Sequence, residues 1–577
     1  MRIILPFLVL FYSSLFAFSQ VMLRSNLSLN KDARAWVDST LKEMTLDQKI
    51  GQLIIPGTST YFTSLTSEKF KKIQENILRY HVGGYHAFKG DALSAATLIN
   101  RMQKISKIPL LVTADLEGGA GLIFPGGTRF PKAMALGATF DLSIPYQVGK
   151  ITAFEAKKIG VGVNFYPVVD VNNNPNNPII NIRSFGEDPE QVAKMSTAYI
   201  RGIQENGILA TAKHFPGHGD TEVDSHLEMP VVHASMERIN QVELLPFRAA
   251  IKSGVSNIMT AHLHIPALES KKGLPATLSH TILTGLLRKK MGFKGLIFTD
   301  AMNMGGINSY KEEEVAVRAI QAGVDIILYP LSVKKTFKSL LNAIQNGDIS
   351  KERLDQSVRL ILESKARLNL HKSSQVDIVN LDRYLGSSQN KQLAQKIMDK
   401  SVTLVRDAKQ ALPFSPKKES SITLLTLIDQ KRQIEKRGNV FVREFKKRHR
   451  VKHVQISPDT SSQQLLLARQ LAQNSDYLVI GVYIRIAAYK GALDLSDGQI
   501  ELLKDLSRIN RPMACVLFGS PYLLSSIPDL PSYIVTYEDY SGAEIAATKA
   551  ILGEIPFQGK LPITIPNLYP IGHGIHR

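Results

Sequence analysis

Cysteine is almost absent from this sequence: Cys515 is the only one among 577 residues. The chain can therefore form no internal disulfide bond, and an exported protein of this kind must depend on the size of its hydrophobic cores. Cys515 itself lies in the apolar segment 513–518. We expect a buried structural thiol at this position rather than a nucleophile.

Several common signatures are missing as well. The sequence contains no internal repeat, no low-complexity tract, no Walker A loop, no strong dinucleotide-binding fingerprint and no His-Glu-x-x-His pattern. A hydrophobic content of 44% with 21% charged residues excludes a wholly disordered chain and gives no multi-span membrane pattern. A mass of 63.9 kDa exceeds the usual size of one domain, which predicts two or more cores.

The N-terminus has the pattern of a secretory signal. Met1 and Arg2 precede the apolar run 3–18, and residues 17–19 form a plausible cleavage site. We predict a signal peptide over residues 1–19 and an exported protein, either periplasmic or extracellular, with no stable membrane span after cleavage. The alternative is an uncleaved anchor helix, for which the run is near the lower length limit. No cysteine directly follows the run, so a lipoprotein anchor is excluded.

Positive charges outnumber negative charges, which gives a net charge of +19 and a pI near 9.6. Such a balance favours association with anionic polymers such as nucleic acid, phospholipid surfaces or cell-wall glycans, and charge alone does not choose among them. Export makes nucleic acid the least expected of these partners. The densest basic run, residues 443–452, is interpreted as the solvated face of a helix rather than a docking site.

Alternating strand and helix patterns predict the fold of the first part of the chain. Eight short apolar runs are separated by segments of helical periodicity, as in residues 66–77, where Phe70, Ile73 and Ile77 follow a possible cap at Thr66 or Ser67. This alternation, over about 300 residues, is typical of a (β/α)₈ TIM-type barrel. The candidate strands are residues 53–56, 82–88, 110–115, 161–171, 208–214, 258–264, 296–300 and 324–329.

A second α/β unit follows the barrel. Residues 369–390 are polar and lack apolar periodicity, whereas residues 422–427, 477–483, 513–518 and 533–537 read as strands with helices between them. The sequence therefore predicts a smaller, doubly wound α/β sandwich domain. We place the catalytic domain at residues 31–370, a linker at 371–395 and the second domain at 396–577.

Polar side chains follow five of the predicted barrel strands. Asp115 follows the third strand, Arg183 lies in the loop after the fourth, Lys213 ends the fifth, His262 follows the sixth and Asp300 ends the seventh. Because the carboxyl ends of barrel strands meet on one face, these residues should converge there. The placement predicts an active site at that face.

The loop after the fifth strand carries the densest polar cluster. Residues 213–226 read Lys-His-Phe-Pro-Gly-His-Gly-Asp-Thr-Glu-Val-Asp-Ser-His, with three histidines and two aspartates. A glycine-broken loop of this composition is suited to chemistry. Histidines and carboxylates on a barrel rim also suggest a zinc site, with His214, His218, Asp220, Asp224 and His226 as its possible ligands. We expect no metal and no cofactor, because the Pro-Gly and Gly breaks suit a shaped loop.

This loop resembles the β-N-acetylhexosaminidases of glycoside hydrolase family 3, whose signature Lys-His-Phe-Pro-Gly-His-Gly, followed by Asp-Ser-His, stands here at residues 213–219 and 224–226. Further segments agree in order with the same family, namely residues 115–119, 181–189 and 295–302. The resemblance is strong over residues 41–370 and weaker in the C-terminal part, where it extends to residues 559–562.

The resemblance implies a role for each site residue. Asp300 is the expected nucleophile of a retaining mechanism, and His226 the proton donor, an unusual choice shared by family members with Asp-Ser-His. In an extended segment, residues two apart point the same way, so Asp224 should bond one ring nitrogen of His226. This pairing fixes the tautomer and favours the imidazolium.

Four more residues are implied as binders of the terminal sugar: Asp115, Arg183, Lys213 and His214. An isolated Arg or Asp at the barrel mouth would be better interpreted as part of a structural salt bridge. Because these residues stand within the family motifs, sugar binding is the preferred interpretation here. One segment departs from the family. Residues 120–123 read Ala-Gly-Leu-Ile where many relatives have an Arg-rich continuation, so the contacts of that loop are in doubt.

The resulting hypothesis is an exo-acting, retaining β-N-acetylglucosaminidase that acts on peptidoglycan fragments or related glycans. Two enzymatic alternatives share the fold, a β-glucosidase and a phosphorylase. The Asp224-Ser225-His226 triplet argues against a plain β-glucosidase, whereas phosphorolysis stays open because a histidine donor repels phosphate less than a carboxylate would. The non-enzymatic alternative is a basic cell-wall binding protein whose barrel has lost its catalytic activity. The joint presence of Asp300, Asp224 and His226 argues against this alternative.

Overall fold

The computed structural model describes residues 29–308, 310–429, 437–484 and 495–577. The predicted signal peptide lies outside these ranges. Within them, no helix combines the length and the apolar character needed to cross a bilayer.

The first domain is a parallel barrel. Seven strands, β2 to β8, form one sheet in chain order, and the short strand β1 pairs with β9. A parallel bridge from Phe298 to Ile326 joins β8 to the segment before β9 and brings the two ends of the sheet together. The strands are β1 Ile54–Ile55, β2 Gly57–Ser59, β3 Gly84–Phe88, β4 Leu111–Ala114, β5 Val163–Asn164, β6 Leu209–Phe215, β7 Asn257–Thr260, β8 Leu296–Phe298 and β9 Ile327–Leu328. The (β/α)₈ prediction is confirmed.

The helices of the barrel cover the sheet with amphipathic faces. In the helix Glu68–Leu78, Phe70, Ile73 and Ile77 are buried, and the Ser67 hydroxyl caps the start by accepting from the Phe70 N–H at 3.2 Å. The other helices are Lys31–Glu43, Leu46–Gln52, Ala92–Ile105, Ala120–Ile123, Ala133–Gly137, Ser143–Ile159, Pro189–Gln204, Met236–Gln241, Leu244–Lys252, Glu312–Ala322, Val333–Gln345 and Lys351–Arg367, with a π-helix at Thr281–Lys290 and 3₁₀ turns at Asn181–Arg183, Ala276–Leu278 and Gly305–Ile307.

The second domain contains a six-stranded sheet in the order β10-β15-β14-β13-β11-β12. Among the strands of this sheet that the structure describes, only β10 runs antiparallel to its neighbour, as expected for a doubly wound fold with one edge strand reversed. Its strands are β10 Thr403–Asp407, β11 Ile422–Ile428, β12 Val451–Ile456, β13 Tyr477–Ile484, β14 Met513–Gly519 and β15 Ser532–Val535. Its helices are Ser388–Ser401, Asn439–Lys446, Ser462–Gln473, Asp497–Ser507 and Ser541–Ile551, with 3₁₀ turns at Leu381–Tyr384 and Pro521–Ser525.

Four of these six strands were predicted, and β10 and β12 were not. Strand β12 falls partly within the basic run 443–452, so the interpretation of that run as one helical face is wrong: the helix ends at Lys446. Cys515 is fully buried in β14, and this burial raises the pKa of its thiol to about 12. The expected structural thiol is confirmed.

The boundary between the domains is compact. Within the predicted linker 371–395, the chain forms the 3₁₀ turn Leu381–Tyr384 and begins the helix Ser388–Ser401. The domain limits themselves stay predictions. The C-terminal segment packs back on the barrel, where the Thr564 N–H and hydroxyl donate to the Glu187 carboxylate at 2.7 and 2.5 Å. The Glu187 N–H also donates to the Pro562 carbonyl at 3.0 Å. The second domain thus holds the loop that carries Arg183.

Candidate active site

A cavity of about 420 Å³ opens at the carboxyl ends of the barrel strands. All seven site residues predicted from sequence belong to this region: six line the cavity directly, and Asp224 lies behind His226. The lining residues that carry charge or a titratable ring are His86, Asp115, Glu117, Lys132, Arg183, Lys213, His214, His218, His226 and Asp300. The convergence expected from the strand ends is therefore present.

Lys213 connects two carboxylates on one side of the cavity. Its Nζ lies 2.7 Å from Asp115 Oδ1 and 2.9 Å from Glu117 Oε1, and its side chain is 3% exposed. Arg183 binds Glu117 through two parallel contacts, Nε to Oε2 at 3.0 Å and Nη2 to Oε1 at 2.8 Å. Such bidentate pairs fix the guanidinium plane. Lys213 and Arg183 are consequently held in place before any ligand binds.

These charges keep one another ionised. Burial opposes ionisation of Asp115, but Lys213 and His86 outweigh it and hold the pKa of that carboxyl well below its usual range. Burial also opposes ionisation of Glu117, but the charges of Arg183 and Lys213 outweigh this effect and lower the pKa of the Glu117 carboxyl. Asp115 keeps 39% of its side chain exposed to the cavity, although its oxygens also contact Lys213 and His86.

His214 is oriented by a carboxylate that the sequence did not reveal. Asp170 is buried and its Oδ2 lies 2.7 Å from His214 Nδ1, while its oxygens accept from the His214 N–H at 3.2 Å and the His218 N–H at 2.8 Å. Asp170 thereby shapes the whole turn after β6. Gly219 is required in the same turn, because a Cβ there would lie 1.7 Å from the Val171 carbonyl oxygen.

Asp300 stands just beyond strand β8, where its backbone is fixed by the barrel. The Ala301 N–H donates to Asp300 Oδ1 at 2.8 Å. Burial would raise the pKa of Asp300, but His214 and His262 overcome this effect and lower it below its ordinary value. His262 lies behind the site, with Nδ1 2.8 Å from the Thr277 hydroxyl and Nε2 3.2 Å from the Ala301 carbonyl. An ionised carboxylate therefore faces the cavity.

His226 and Asp224 form a close pair. Asp224 Oδ1 lies 2.7 Å from His226 Nδ1 and accepts the His226 N–H at 2.9 Å. The side chain of Asp224 is fully buried, whereas that of His226 is 22% exposed. The segment is not extended as expected from sequence. It is a turn in which the Leu227 N–H donates to the Asp224 carbonyl at 2.9 Å, and the aspartate side chain bonds its own backbone two residues on.

The loop after β8 is hydrogen-bonded to the segment that carries this pair. The Gly305 N–H donates to the His226 carbonyl at 3.1 Å and the Gly306 N–H to the Ser225 carbonyl at 3.0 Å. Because Asp300 lies at the start of the same loop, this loop fixes the position of Asp300 relative to that of His226.

Sequence reasoning missed three residues of the site, His86, Glu117 and Asp170, and considered His218 only as a possible zinc ligand. Glu117 could have been found, because it follows Asp115 by only two positions at the end of the same strand. Asp170 was hidden within the segment 161–171, which was predicted as a strand. The loop that departs from the family, residues 120–123, forms a helical turn whose Leu122 lines the cavity. Within the described ranges, no group of three or more His, Cys, Asp or Glu side chains is arranged to hold a metal ion.

A barrel with buried carboxylates and a carboxylate-held histidine at its mouth has the architecture of a glycosidase. The model of the "Glycosyl hydrolase family 3 N terminal domain" matches residues 45–364, more than half of the chain. The chain belongs to glycosyl hydrolase family 3, and the resemblance found in the sequence is confirmed.

Two relatives illustrate its place in the family. A "Beta-N-acetylglucosaminidase/beta-glucosidase" of Cellulomonas fimi is 34% identical over 401 residues, which cover 67% of this chain and 69% of the relative. A "Beta-hexosaminidase A" of Pseudoalteromonas piscicida is 34% identical over 369 residues, covering 58% of this chain and 61% of the relative.

Solved structures agree on the two-domain architecture. A family 3 β-N-acetylglucosaminidase from Paenibacillus sp. str. FPU-7 superposes with a TM-score of 0.80 at 31% identity, covering 90% of this chain and 99% of that one. A β-glucoside phosphorylase superposes with a TM-score of 0.83 at 28% identity, covering 93% and 97%.

Proposed function

We propose that this protein is a retaining exo-β-N-acetylglucosaminidase. The observation that carries the proposal is the joint position of Asp300 and of the Asp224–His226 pair on one cavity, with 2.7 Å between Asp224 Oδ1 and His226 Nδ1. Retention requires a nucleophile and a proton donor at the same glycosidic bond. The names of the Cellulomonas and Paenibacillus relatives support N-acetylglucosamine as the sugar.

In the first step, a carboxylate oxygen of Asp300 attacks the anomeric carbon. The bond from that carbon to the leaving oxygen breaks, and His226 transfers its Nε2 proton to the leaving oxygen. Asp224 holds Nδ1 and stabilises the positive charge that the ring carries before the transfer. The products of this step are a glycosyl ester on Asp300 and a neutral His226.

In the second step, His226 removes a proton from water, whose oxygen attacks the anomeric carbon. The ester bond to Asp300 breaks, and its carboxylate returns with the charge it began with. The lowered pKa of Asp300 suits a leaving carboxylate at neutral pH.

Binding of the terminal sugar is assigned to Asp115, Arg183, Lys213 and His214. The ion pairs among the first three fix donors and acceptors in advance, so the sugar hydroxyls meet side chains that need not reorganise. Asp170 does the same for His214. Apolar side chains of the cavity, including Leu122 and Ile180, offer surface to the less polar parts of the substrate.

The test compares kcat/KM for aryl β-N-acetylglucosaminide and aryl β-glucoside, each with and without phosphate. We expect preference for the N-acetylglucosaminide, hydrolysis without phosphate, and loss of turnover in Asp300→Ala. A preference for the glucoside would make the enzyme a β-glucosidase, and dependence on phosphate would make it a phosphorylase. Activity in Asp300→Ala above a few percent would overturn the assignment of the nucleophile.

Peptidoglycan fragments or related glycans are the natural substrates that we propose, with an exported enzyme in the periplasm or outside the cell. Support comes from the apolar segment 3–18 and from the net charge of +19, which favours contact with an anionic wall polymer. N-terminal sequencing of the native protein from the cell envelope tests export. A mature N-terminus near Gln20 is expected, and an intact Met1 would contradict cleavage.

A further inference from the structure

His218 has an unusual environment within the active-site cavity. The residue is 2% exposed and lines the cavity, yet its ring Nε2 has no hydrogen-bond partner among the described residues. Its backbone N–H is fixed by Asp170 at 2.8 Å. A buried nitrogen without a partner is costly, and because His218 lines the cavity, a ligand bound there could complete its hydrogen bonding.

The hydrogen bonds of the other ring nitrogen assign the tautomer. His218 Nδ1 lies 3.0 Å from the Thr221 hydroxyl, and that hydroxyl donates its proton to the His218 carbonyl at 3.2 Å. Asn177 also donates to the same hydroxyl, at 3.2 Å. With the single hydroxyl proton directed to this carbonyl, we assign the ring proton to Nδ1, which leaves Nε2 bare.

The environment of the His218 ring favours its uncharged form. Burial and the neighbouring His214 lower the pKa of His218 to about 4, although Asp170 and Asp300 act in the opposite direction. An uncharged imidazole with a proton on Nδ1 offers a single lone pair at Nε2. It accepts one hydrogen bond and donates none at that atom.

We infer that His218 is a substrate-binding residue whose Nε2 accepts a hydrogen bond from a hydroxyl or amide N–H of the terminal sugar. The inference rests on the proposed glycosidase function of this cavity. It adds to that function an uncharged acceptor beside the paired charges of Asp115, Arg183 and Lys213. A sugar that lacks the donor would leave Nε2 buried and unpaired.

The matched substitutions are His218→Gln and His218→Asn. The Gln side chain is long enough to place an oxygen acceptor near the position of Nε2. The Asn side chain is shorter, so it retains the contact to Thr221 near the position of Nδ1 and loses the acceptor in the cavity. Thermal unfolding and circular dichroism confirm that each variant folds. Unfolding of both variants would assign His218 to loop stability and overturn the inference.

The measurement is kcat/KM for an aryl β-N-acetylglucosaminide and for its 3-deoxy, 4-deoxy and 6-deoxy analogues, together with the 2-deoxy sugar that lacks the acetamido group. We expect the wild type to lose between about 5-fold and about 150-fold on one analogue because of the unpaired Nε2. His218→Asn should lose that selectivity, and His218→Gln should keep most of it. An equal loss of activity on every substrate in His218→Asn would contradict the inference.

Failure of the inference can be distinguished from failure of the proposed function. If the enzyme prefers glucosides, the corresponding deoxyglucosides replace the N-acetylglucosaminide analogues. The inference is then tested by whether His218→Asn loses the wild-type selectivity against one of them. Spectra of ¹⁵N-histidine-labelled enzyme give a second readout. A bare Nε2 that shifts on addition of N-acetylglucosamine is expected, and a protonated Nε2 in His218 would overturn the inference.

Discussion

Asp224 accepts two hydrogen bonds from His226, one from its backbone N–H at 2.9 Å and one from ring Nδ1 at 2.7 Å. A single buried carboxylate thus fixes both the main chain and the ring of the same residue. His226 lines the cavity, whereas the side chain of Asp224 is fully buried behind it. We therefore propose that Asp224 positions and charges His226 rather than contacting the sugar.

Replacing Asp224 by Asn tests this role. The isosteric amide removes the charge opposite the imidazolium, so proton transfer to the leaving oxygen should be impaired and kcat should fall. KM should change little. A raised KM with an unchanged kcat would make Asp224 a substrate binder.

His226→Ala should affect substrates according to their leaving groups. Aryl glycosides with an acidic phenol need little proton assistance in bond cleavage, whereas alkyl leaving groups need it fully. We therefore expect a loss at least about ten-fold larger on the poor leaving group than on the good one. Comparable losses on both substrates would remove His226 from the donor role.

Glu117→Gln should weaken sugar binding without changing the leaving-group dependence. The substitution removes the charge that holds Lys213 at 2.9 Å and Arg183 at 2.8 Å, so both binders lose their fixed geometry. Misplacement of this kind costs about 10²-fold in kcat/KM, and here we expect it mainly in KM. Glu190→Gln is the matched control, because Glu190 forms only an exposed pair with Lys194. Unchanged kinetics in Glu117→Gln would contradict this account of the network.

Lys365→Met should stabilise the barrel at neutral and acidic pH. Lys365 is fully buried against Gln52, and burial lowers the pKa of its ammonium from 10.5 to about 7. The unfolded chain therefore binds more protons between pH 7 and 10.5, so wild-type stability rises with pH across that window. Burying the Lys365 ammonium charge costs roughly 5 kcal/mol of stability. This cost exceeds the loss of about 1 to 3 kcal/mol that we expect when Gln52 loses its hydrogen-bond partner.

Thermal unfolding of Lys365→Met at several pH values measures this effect. We expect a higher Tm than wild type at pH 7, by about 5 °C, and a gap that narrows toward pH 10. The exposed Lys351→Met, in the same helix Lys351–Arg367, controls for the loss of a lysine. A gap that does not depend on pH would show that the charge of Lys365 is not the cause.

The barrel and its site face were predictable because each strand is a short apolar run followed by polar residues. Strand β12 was missed for the opposite reason: it is an edge strand of the sheet, and residues such as Lys452 are exposed, so its sequence reads as polar. The antiparallel β10 follows directly on the helix Ser388–Ser401, whose residues 388–395 were assigned to the linker.

The partners of the site residues could not be read from the sequence. Glu117 binds Arg183, which lies 66 positions later in the chain. Asp170 binds His214, which lies 44 positions later. Such pairs depend on the closure of the barrel and on loop shapes that no local pattern encodes. The turn at Asp224 shows the same limit, because a side-chain hydrogen bond to the backbone replaced the extended geometry that the sequence suggested.

Trapping of the covalent intermediate tests the central claim most directly. A 5-fluoro-N-acetylglucosaminyl fluoride reacts through a good leaving group and then hydrolyses slowly, so the glycosyl-enzyme accumulates. Mass spectrometry of the intact protein should show the addition of one sugar, and peptide mapping should place it on Asp300. A sugar on another residue, or turnover of the compound with inversion at the anomeric carbon and no labelled protein, would contradict the proposed mechanism.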